Sequence, residues 1–246
     1  MCGMWSGVSS KTGDKIMKIL SYNISDSKQW KIDRLFEHNA DVLVVPEITC
    51  PEQAELPDGF EMAWEGITWQ YAGKDKWKGL GIIWKKGEGM VPDWYNPNLF
   101  YAIPLVVNDI VILAFWPTKR KGLTDKKLYP QIAQELIADY APHFEGKKVI
   151  VVGDFNCYVN QRDKSKEYGD ILRIDDILKG YGLESAYHKV TGEKLGKEST
   201  PTYYHTFRAD SPFFLDYAYT NMEVKAFELL PWDSKMSDHI GQIIEI

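Results

Sequence analysis

Two short, wholly apolar runs stop abruptly at acidic residues: DVLVVP (Asp41 to Pro46) runs into Glu47, and KVIVV (Lys148 to Val152) runs into Gly153-Asp154-Phe155-Asn156. An apolar run of strand length without alternation predicts a strand buried on both faces, which needs a layer of structure on each side. Met17 to Asn23 alternates and reads as a strand, as does Gly79 to Trp84. Tyr101 to Val107 and Ile110 to Trp116 flank Asn108-Asp109, a two-residue turn signal, and read as a hairpin. Tyr203 to Phe207 and Phe213 to Thr220 read as a second hairpin, and Val224 to Leu230 and Gln242 to Ile246 complete the strands. Helices are expected at Asp26 to His38, at Asp125 to His143 (Leu128, Ile132, Leu136 and Tyr140 at four-residue steps), and at Tyr168 to Tyr181 with Gly182 as its stop. Strands outnumber helices and pair with their chain neighbours. That disfavours the strict strand–helix alternation of a doubly wound sheet and favours two packed sheets with helices outside.

Composition narrows the class further. At 44% hydrophobic and 26% charged, the chain has the make-up of a globular domain and is not disordered. Its net charge of −6 excludes a wholly basic nucleic-acid coat. The 13% aromatic content exceeds what a core alone requires and leaves rings for surface or site work. Cys2, Cys50 and Cys157 are an odd, widely spaced set, unlike a disulfide framework or zinc ribbon, and point to a reducing, cytoplasmic setting. The longest apolar runs fall far short of the ~20 residues that span a bilayer, so no membrane span is expected. No linker or repeat divides the chain. One domain over 17–246 is expected, acting as a monomer, behind a flexible extension at 1–16 that has no signal-peptide core.

The polar residues at the strand ends are the informative ones. The first strand ends at Asn23, the second at Glu47, and the third at Asp154 and Asn156; Asp216 interrupts an apolar strand, and Ser237-Asp238-His239 precedes the last. Each alone has an ordinary reading: a turn residue for Asn23, an exposed loop acid for Glu47, an Asx turn for Asp154, a salt-bridged strand acid for Asp216, a solvated histidine for His239. Buried carboxylates are costly unless paired or metal-bound, so several at strand ends suggest a shared cation site. Carboxylate and amide oxygens without clustered Cys or His select a hard ion such as Mg²⁺, Mn²⁺ or Ca²⁺.

The motifs SYNI (Ser21 to Ile24), VVPEI (Val44 to Ile48), GLGIIW (Gly79 to Trp84), VGDFN (Val152 to Asn156), LDYAYTN (Leu215 to Asn221) and SDH (Ser237 to His239) occur in an order that resembles the endonuclease/exonuclease/phosphatase superfamily. The resemblance runs from Lys18 to Ile246, and Pro201 to Tyr219 is similar to a bacterial branch of it. It implies the deoxyribonuclease-I-like fold, an α+β four-layer α/β/β/α sandwich with two central mixed, mainly antiparallel sheets, and a site where the sheets meet at one end. It implies Mg²⁺ or Mn²⁺ held by Glu47 beside Asn23 and Asp238. Asp154 matches the aspartate that activates water, Asn156 the asparagine that fixes the phosphate, and His239 the histidine that stabilises the charged phosphorane, oriented by Asp216. The expected reaction is in-line hydrolysis of a phosphodiester, with nucleic acid as the leading substrate. A phosphatase acting on a small molecule or lipid headgroup is the alternative, and a non-catalytic binding module a third reading.

Many relatives carry a His or Tyr at the end of the mid-chain strand, where this chain reads Ala114-Phe115-Trp116-Pro117-Thr118. Trp116 reads equally as a core cap or as a stacking surface for substrate. Lys119, Tyr203, His205 and Arg208 are candidates for the missing donor. Lys119, Arg120, Lys121, Lys126 and Lys127 form a basic loop that would attract polyanions, whereas Lys74, Lys76, Lys78, Lys85 and Lys86 read as a solvated loop. Trp69, Tyr71, Trp77, Trp94 and Tyr95 fall in segments that read as loops, for stacking on bases or for the core.

Overall fold

The computed structural model describes residues 16–71, 74–162 and 165–246, with side chains for all of these except 68–71 and 74–77. The expected extension at 1–16 therefore lies outside the described residues, Ile16 apart. The strands are β1 (Lys18–Ser21), β2 (Val42–Ile48), β3 (Phe60–Tyr71), β4 (Lys74–Lys85), β5 (Gly89–Met90), β6 (Ala102–Val107), β7 (Ile110–Phe115), β8 (Lys148–Asp154), β9 (Glu184–Ser185), β10 (Tyr203–Tyr204), β11 (Pro212–Phe213), β12 (Asp216–Thr220), β13 (Ala226–Leu229) and β14 (Gln242–Glu245). The helices are α1 (Gln29–Phe36), α2 (Tyr129–Tyr140), α3 (Ile171–Gly180) and α4 (Ala186–Thr191). Twelve of the strands form two six-stranded sheets, ordered β13-β14-β1-β2-β4-β3 and β5-β6-β7-β8-β12-β9. Only β1–β2 and β7–β8 run parallel, so both sheets are mixed and mainly antiparallel.

Side-chain alternation explains the apolar runs. In β8, Val149 and Val151 face α2 and α3, joining Ile132, Leu136, Ile174 and Leu178. Ile150 and Val152 face the other way and meet Val42, Val44 and Ile82 of the first sheet. In β2, Leu43 and Val45 pack with Ile32 and Leu35 of α1. Each run is apolar because both of its faces are interior, giving the layer order α1, first sheet, second sheet, α2 with α3. Each fully buried aliphatic contributes about 1.5–3 kcal/mol, so these central strands carry much of the stabilisation.

Three expectations need correction. Tyr203 to Phe207 pairs with the Phe213 to Thr220 run only at the run's first residue, Tyr203 opposite Phe213. β10 pairs with β11 in a separate two-stranded ribbon, while β12 joins the second sheet beside β8. The reason is a break at Phe214-Leu215: Thr202 Oγ1 accepts hydrogen bonds from the N–H groups of Leu215 and Asp216, at 2.9 and 3.0 Å, where β12 begins. Trp69, Tyr71 and Trp77 lie in the long β3–β4 hairpin and not in loops; their side chains lie outside those described. Lys74, Lys76, Lys78 and Lys85 also belong to β4, and Lys85 is ion-paired with Asp41 at 2.8 Å. Trp94 and Tyr95 pack against the core of the second sheet. No helix among the described residues is long and apolar enough to cross a membrane.

Candidate active site

At one end of the sandwich the inter-sheet layer changes from apolar to polar without changing the strand alternation. Val152 faces the layer, so Asp154 does too; Ala218 faces it, so Asp216 does too. The two aspartates are register partners in the antiparallel β8–β12 pair, which sets their carboxylates side by side. Gly153 lets β8 reach this point: its φ is +152°, and a Cβ there would lie 1.9 Å from the Phe115 carbonyl oxygen.

His239 completes the group. Its Nδ1–H donates to Asp216 Oδ2 at 2.9 Å, and its Nε2 lies 3.8 Å from Asp154 Oδ2. All three residues are buried, and their nearest ligand atoms lie within 4.8 Å of one another. Burial alone would pull the imidazole down, but the carboxylates of Asp216, Asp154 and Asp238 outweigh it and raise His239 to about 10. Burial pushes Asp154 up to about 7, with Asp216 adding to the rise and His239 opposing it. The structure therefore holds an imidazolium against a carboxyl poised near neutrality, the ranges a proton-handling pair requires.

The flanking residues fix this geometry. Asn23 Nδ2 donates to Asp154 Oδ2 at 3.0 Å, and the Asn156 N–H donates to Asp154 Oδ1 at 2.9 Å. Ser237 Oγ donates to the Asn23 carbonyl at 2.6 Å and accepts from the His239 N–H at 3.0 Å, tying the first strand end to the last. Asn156 Nδ2 donates to the Pro117 carbonyl at 3.2 Å, which brings the loop after β7 to the site. Glu47 reaches the rim by a break in alternation. Pairing with β4 slips between Pro46 and Ile48, and Glu47 sits there at φ +66° as the extra residue of a bulge. Its carboxylate meets Lys78 Nζ at 2.5 Å. Burial raises the Tyr203 hydroxyl to about 12, with the Asp238, Asp154 and Glu47 carboxylates adding to the rise.

A family model, the endonuclease/exonuclease/phosphatase family, matches residues 20–239. The chain belongs to this family. Among solved structures, the catalytic domain of human Nocturnin, determined with a bound sulfate anion, superimposes with a TM-score of 0.65 at 14% identity, over 94% of this chain and 92% of that one. An endonuclease/exonuclease/phosphatase protein from Beutenbergia cavernae DSM 12333 also gives a TM-score of 0.65, at 15% identity, over 94% of this chain and 71% of that one. No curated protein matches in sequence. These likenesses bear out the two-sheet, deoxyribonuclease-I-like sandwich. Membership of the endonuclease/exonuclease/phosphatase family supports a metal-dependent hydrolase of phosphate esters.

The donor set suits a divalent cation. Glu47, Asp154, Asp216 and Asp238 bring four carboxylates, while the His239 imidazolium and Lys78 bring two cationic groups. The excess of carboxyl over cationic groups, the oxygen-rich donors and the engagement of His239 Nδ1 by Asp216 all suit a hard divalent ion.

The structure gathers Asn23, Glu47, Asp154, Asn156, Asp216, Asp238 and His239 at one place. The substrate-side candidates divide. Tyr203 lies against His239, ring centroids 4.6 Å apart, and its hydroxyl hydrogen-bonds His205 Nδ1 at 2.9 Å. Trp116 is only 4% exposed and packs edge-on against Tyr101, so it presents no face for a substrate ring. Arg208 is held by Asp210 through Nε at 3.0 Å and Nη2 at 2.8 Å. Lys119 lies 4.8 Å from the Tyr129 ring centroid. Sequence reasoning missed Thr202, which anchors Asp216, and Lys78, whose strand register against β2 carries it to Glu47.

Proposed function

We propose that this protein is a Mg²⁺- or Mn²⁺-dependent phosphodiesterase acting on nucleic acid. The carrying observation is the buried Asp216–His239–Asp154 constellation, with His239 Nδ1 bonded to one carboxylate and Nε2 turned to the other. Asp216 fixes the tautomer and favours the imidazolium, the orienting logic of a serine-protease triad without a protein nucleophile. Nε2–H is then the donor for charge developing on a phosphate oxygen. Asp154, held at both oxygens by Asn23 and Asn156, orients the attacking water and takes its proton. Asn156 fixes the phosphate from the half-buried turn after β8. Glu47, Asn23 and Asp238 would hold the cation, which when bound neutralises the phosphate and stabilises the leaving oxygen.

Two features support a polyanionic substrate. The loop after Pro117 carries Lys119, Arg120, Lys121 and Lys126 against one acid, Asp125. The ribbon beside His239 carries Tyr203, His205 and an exposed Phe207, groups suited to stacking on bases. The test is a panel of plasmid DNA, single-stranded DNA, RNA and small phosphate esters, with Mg²⁺, Mn²⁺ or chelator, for wild type, Asp154→Asn and His239→Gln. Nucleic-acid cleavage that chelator and both substitutions abolish is expected. Turnover of small esters alone would replace the substrate class, and no substitution-sensitive turnover would overturn the reading.

A further inference from the structure

Lys78 is the charged group that the mechanism above leaves without a task. It sits on β4, with its neighbour Gly79 paired to Ile48 beside the β2 bulge, so its position is set by strand register. Its Nζ lies 2.5 Å from Glu47 Oε2 and 6.0 Å from the centroid of Trp116. The Trp116 wall offers no charged donor, and its indole is closed off in the core. Lys127 is committed to Glu135 at 2.5 Å and Arg208 to Asp210 at 2.8 Å. The Lys78 side chain is 37% exposed while Glu47 is 17% exposed, so the ammonium is the partner with room to move.

We propose that Lys78 is a phosphate-binding residue that exchanges places with the metal. In the metal-free protein its ammonium neutralises Glu47. When a divalent cation takes that carboxylate, the ammonium turns along the Trp116 wall onto a non-bridging oxygen of the substrate phosphate. The inference rests on the reading of Glu47 as a cation ligand. One carboxylate oxygen cannot keep a 2.5 Å contact to an ammonium and also serve as a close ligand to a divalent ion without severe like-charge repulsion. The displaced ammonium needs a new anion, and the phosphate is the one the site is built to receive. The exchange changes the site's charge by only one unit, since the cation adds two positive charges and a phosphodiester brings one negative charge.

Two binding titrations test this without requiring the substrate to be known. Lys78→Met keeps the alkyl stem beside Trp116 and removes the charge; Lys78→Arg keeps the charge; Glu47→Gln removes the shared carboxylate. In calorimetry with Mn²⁺ alone, Lys78→Met is expected to bind the ion about fivefold more tightly than wild type, the worth of a partly exposed ion pair no longer displaced. Glu47→Gln should bind weakly whether or not Lys78 is present. In the Mn²⁺-loaded proteins, inorganic phosphate should bind at least about fivefold more weakly to Lys78→Met, with most of the loss restored in Lys78→Arg. Mn²⁺ affinity equal in wild type and Lys78→Met, or absent from both, overturns the exchange. Tighter Mn²⁺ binding with phosphate affinity unchanged also overturns it, since the ammonium would then only block the carboxylate. Failure of the phosphoesterase reading shows separately, as a substrate panel without Asp154-dependent turnover.

Discussion

Glu65 links the stability of this fold to pH at a wall of the site. It lies in β3, 6% exposed, and its Oε2 accepts the Tyr101 N–H at 2.9 Å and the Tyr95 hydroxyl at 3.4 Å. Its Oε1 is buried without a hydrogen-bond partner. Burial pushes the carboxyl from 4.5 up to about 7, against the lowering effect of those bonds and of the Arg120 charge. A rise of that size corresponds to about 3 kcal/mol between the protonated and ionised forms. The native state keeps its proton to higher pH than the unfolded chain, so the native state is favoured at low pH. Stability should fall as pH rises from about 4.5 to about 7 and stay level above. Glu65→Gln removes the titration but keeps an acceptor for Tyr101; any cost of its buried amide is a pH-independent offset. Urea denaturation of both proteins between about pH 4.5 and pH 8 checks this. The wild-type stability relative to the variant should decline by about 3 kcal/mol across that window. Parallel curves would refute the argument and place Glu65 in a wetter setting than its burial indicates. Tyr101 stands edge-on to Trp116 at 4.9 Å, so ionisation of Glu65 should also loosen the wall beside Lys78.

Thr202→Val strips the acceptor from two buried N–H groups at Leu215 and Asp216 and should cost about 2–4 kcal/mol, read by chemical denaturation; a loss under about 0.5 kcal/mol would mean that the break is held by other contacts. Gly153→Ala drives a Cβ into the Phe115 carbonyl at 1.9 Å in a left-handed backbone. It should cost more than about 3 kcal/mol, seen as insoluble expression or a sharply lowered Tm; a Tm like wild type would disprove the close β7–β8 approach. Tyr203→Leu removes the ring lying 4.6 Å from His239 and should weaken substrate binding about tenfold, the worth of one stacked base, with Mn²⁺ affinity unchanged. A KM unaffected by that change would take the ribbon out of substrate recognition.

What the sequence reveals depends on whether a residue's cost is local. β2 and β8 are legible because a strand buried on both faces has no polar position to offer. The strand-end acids are legible because a buried carboxylate demands a partner. β3 is not legible: its apolar residues at Phe60, Met62 and Trp64 give way to Glu65-Gly66, and only the pairing of Gly66 with Gly79 shows why small residues stand there. A Cβ on Gly66 would lie 2.6 Å from the Lys78 carbonyl. The Phe213 to Thr220 run reads as one strand because hydrophobicity does not record the break that Thr202 imposes. Lys78 escapes for the same reason, since it reaches Glu47 through a register that no local pattern encodes.

The site follows from strand alternation and one deliberate break in it. Continuing the inter-sheet faces of β8 and β12 by one more alternation places Asp154 and Asp216 side by side. Evenly spaced strands would supply those two acids and nothing at the rim, because the β2 residue after Pro46 would face α1. The bulge changes that. Leu43 and Val45 face α1, yet Ile48 also joins that cluster, which places Glu47 as the inserted residue between the two faces. A buried triad and a rim carboxylate have different electrostatic duties. The triad needs a dry setting so that Asp216 and Asp154 hold the imidazolium strongly. The rim carboxylate needs partial exposure so that a hydrated cation can reach it. Strand ends with regular alternation and one strand end with a bulge provide the two settings, and β4 brings Lys78 to the one that an ammonium can enter and leave.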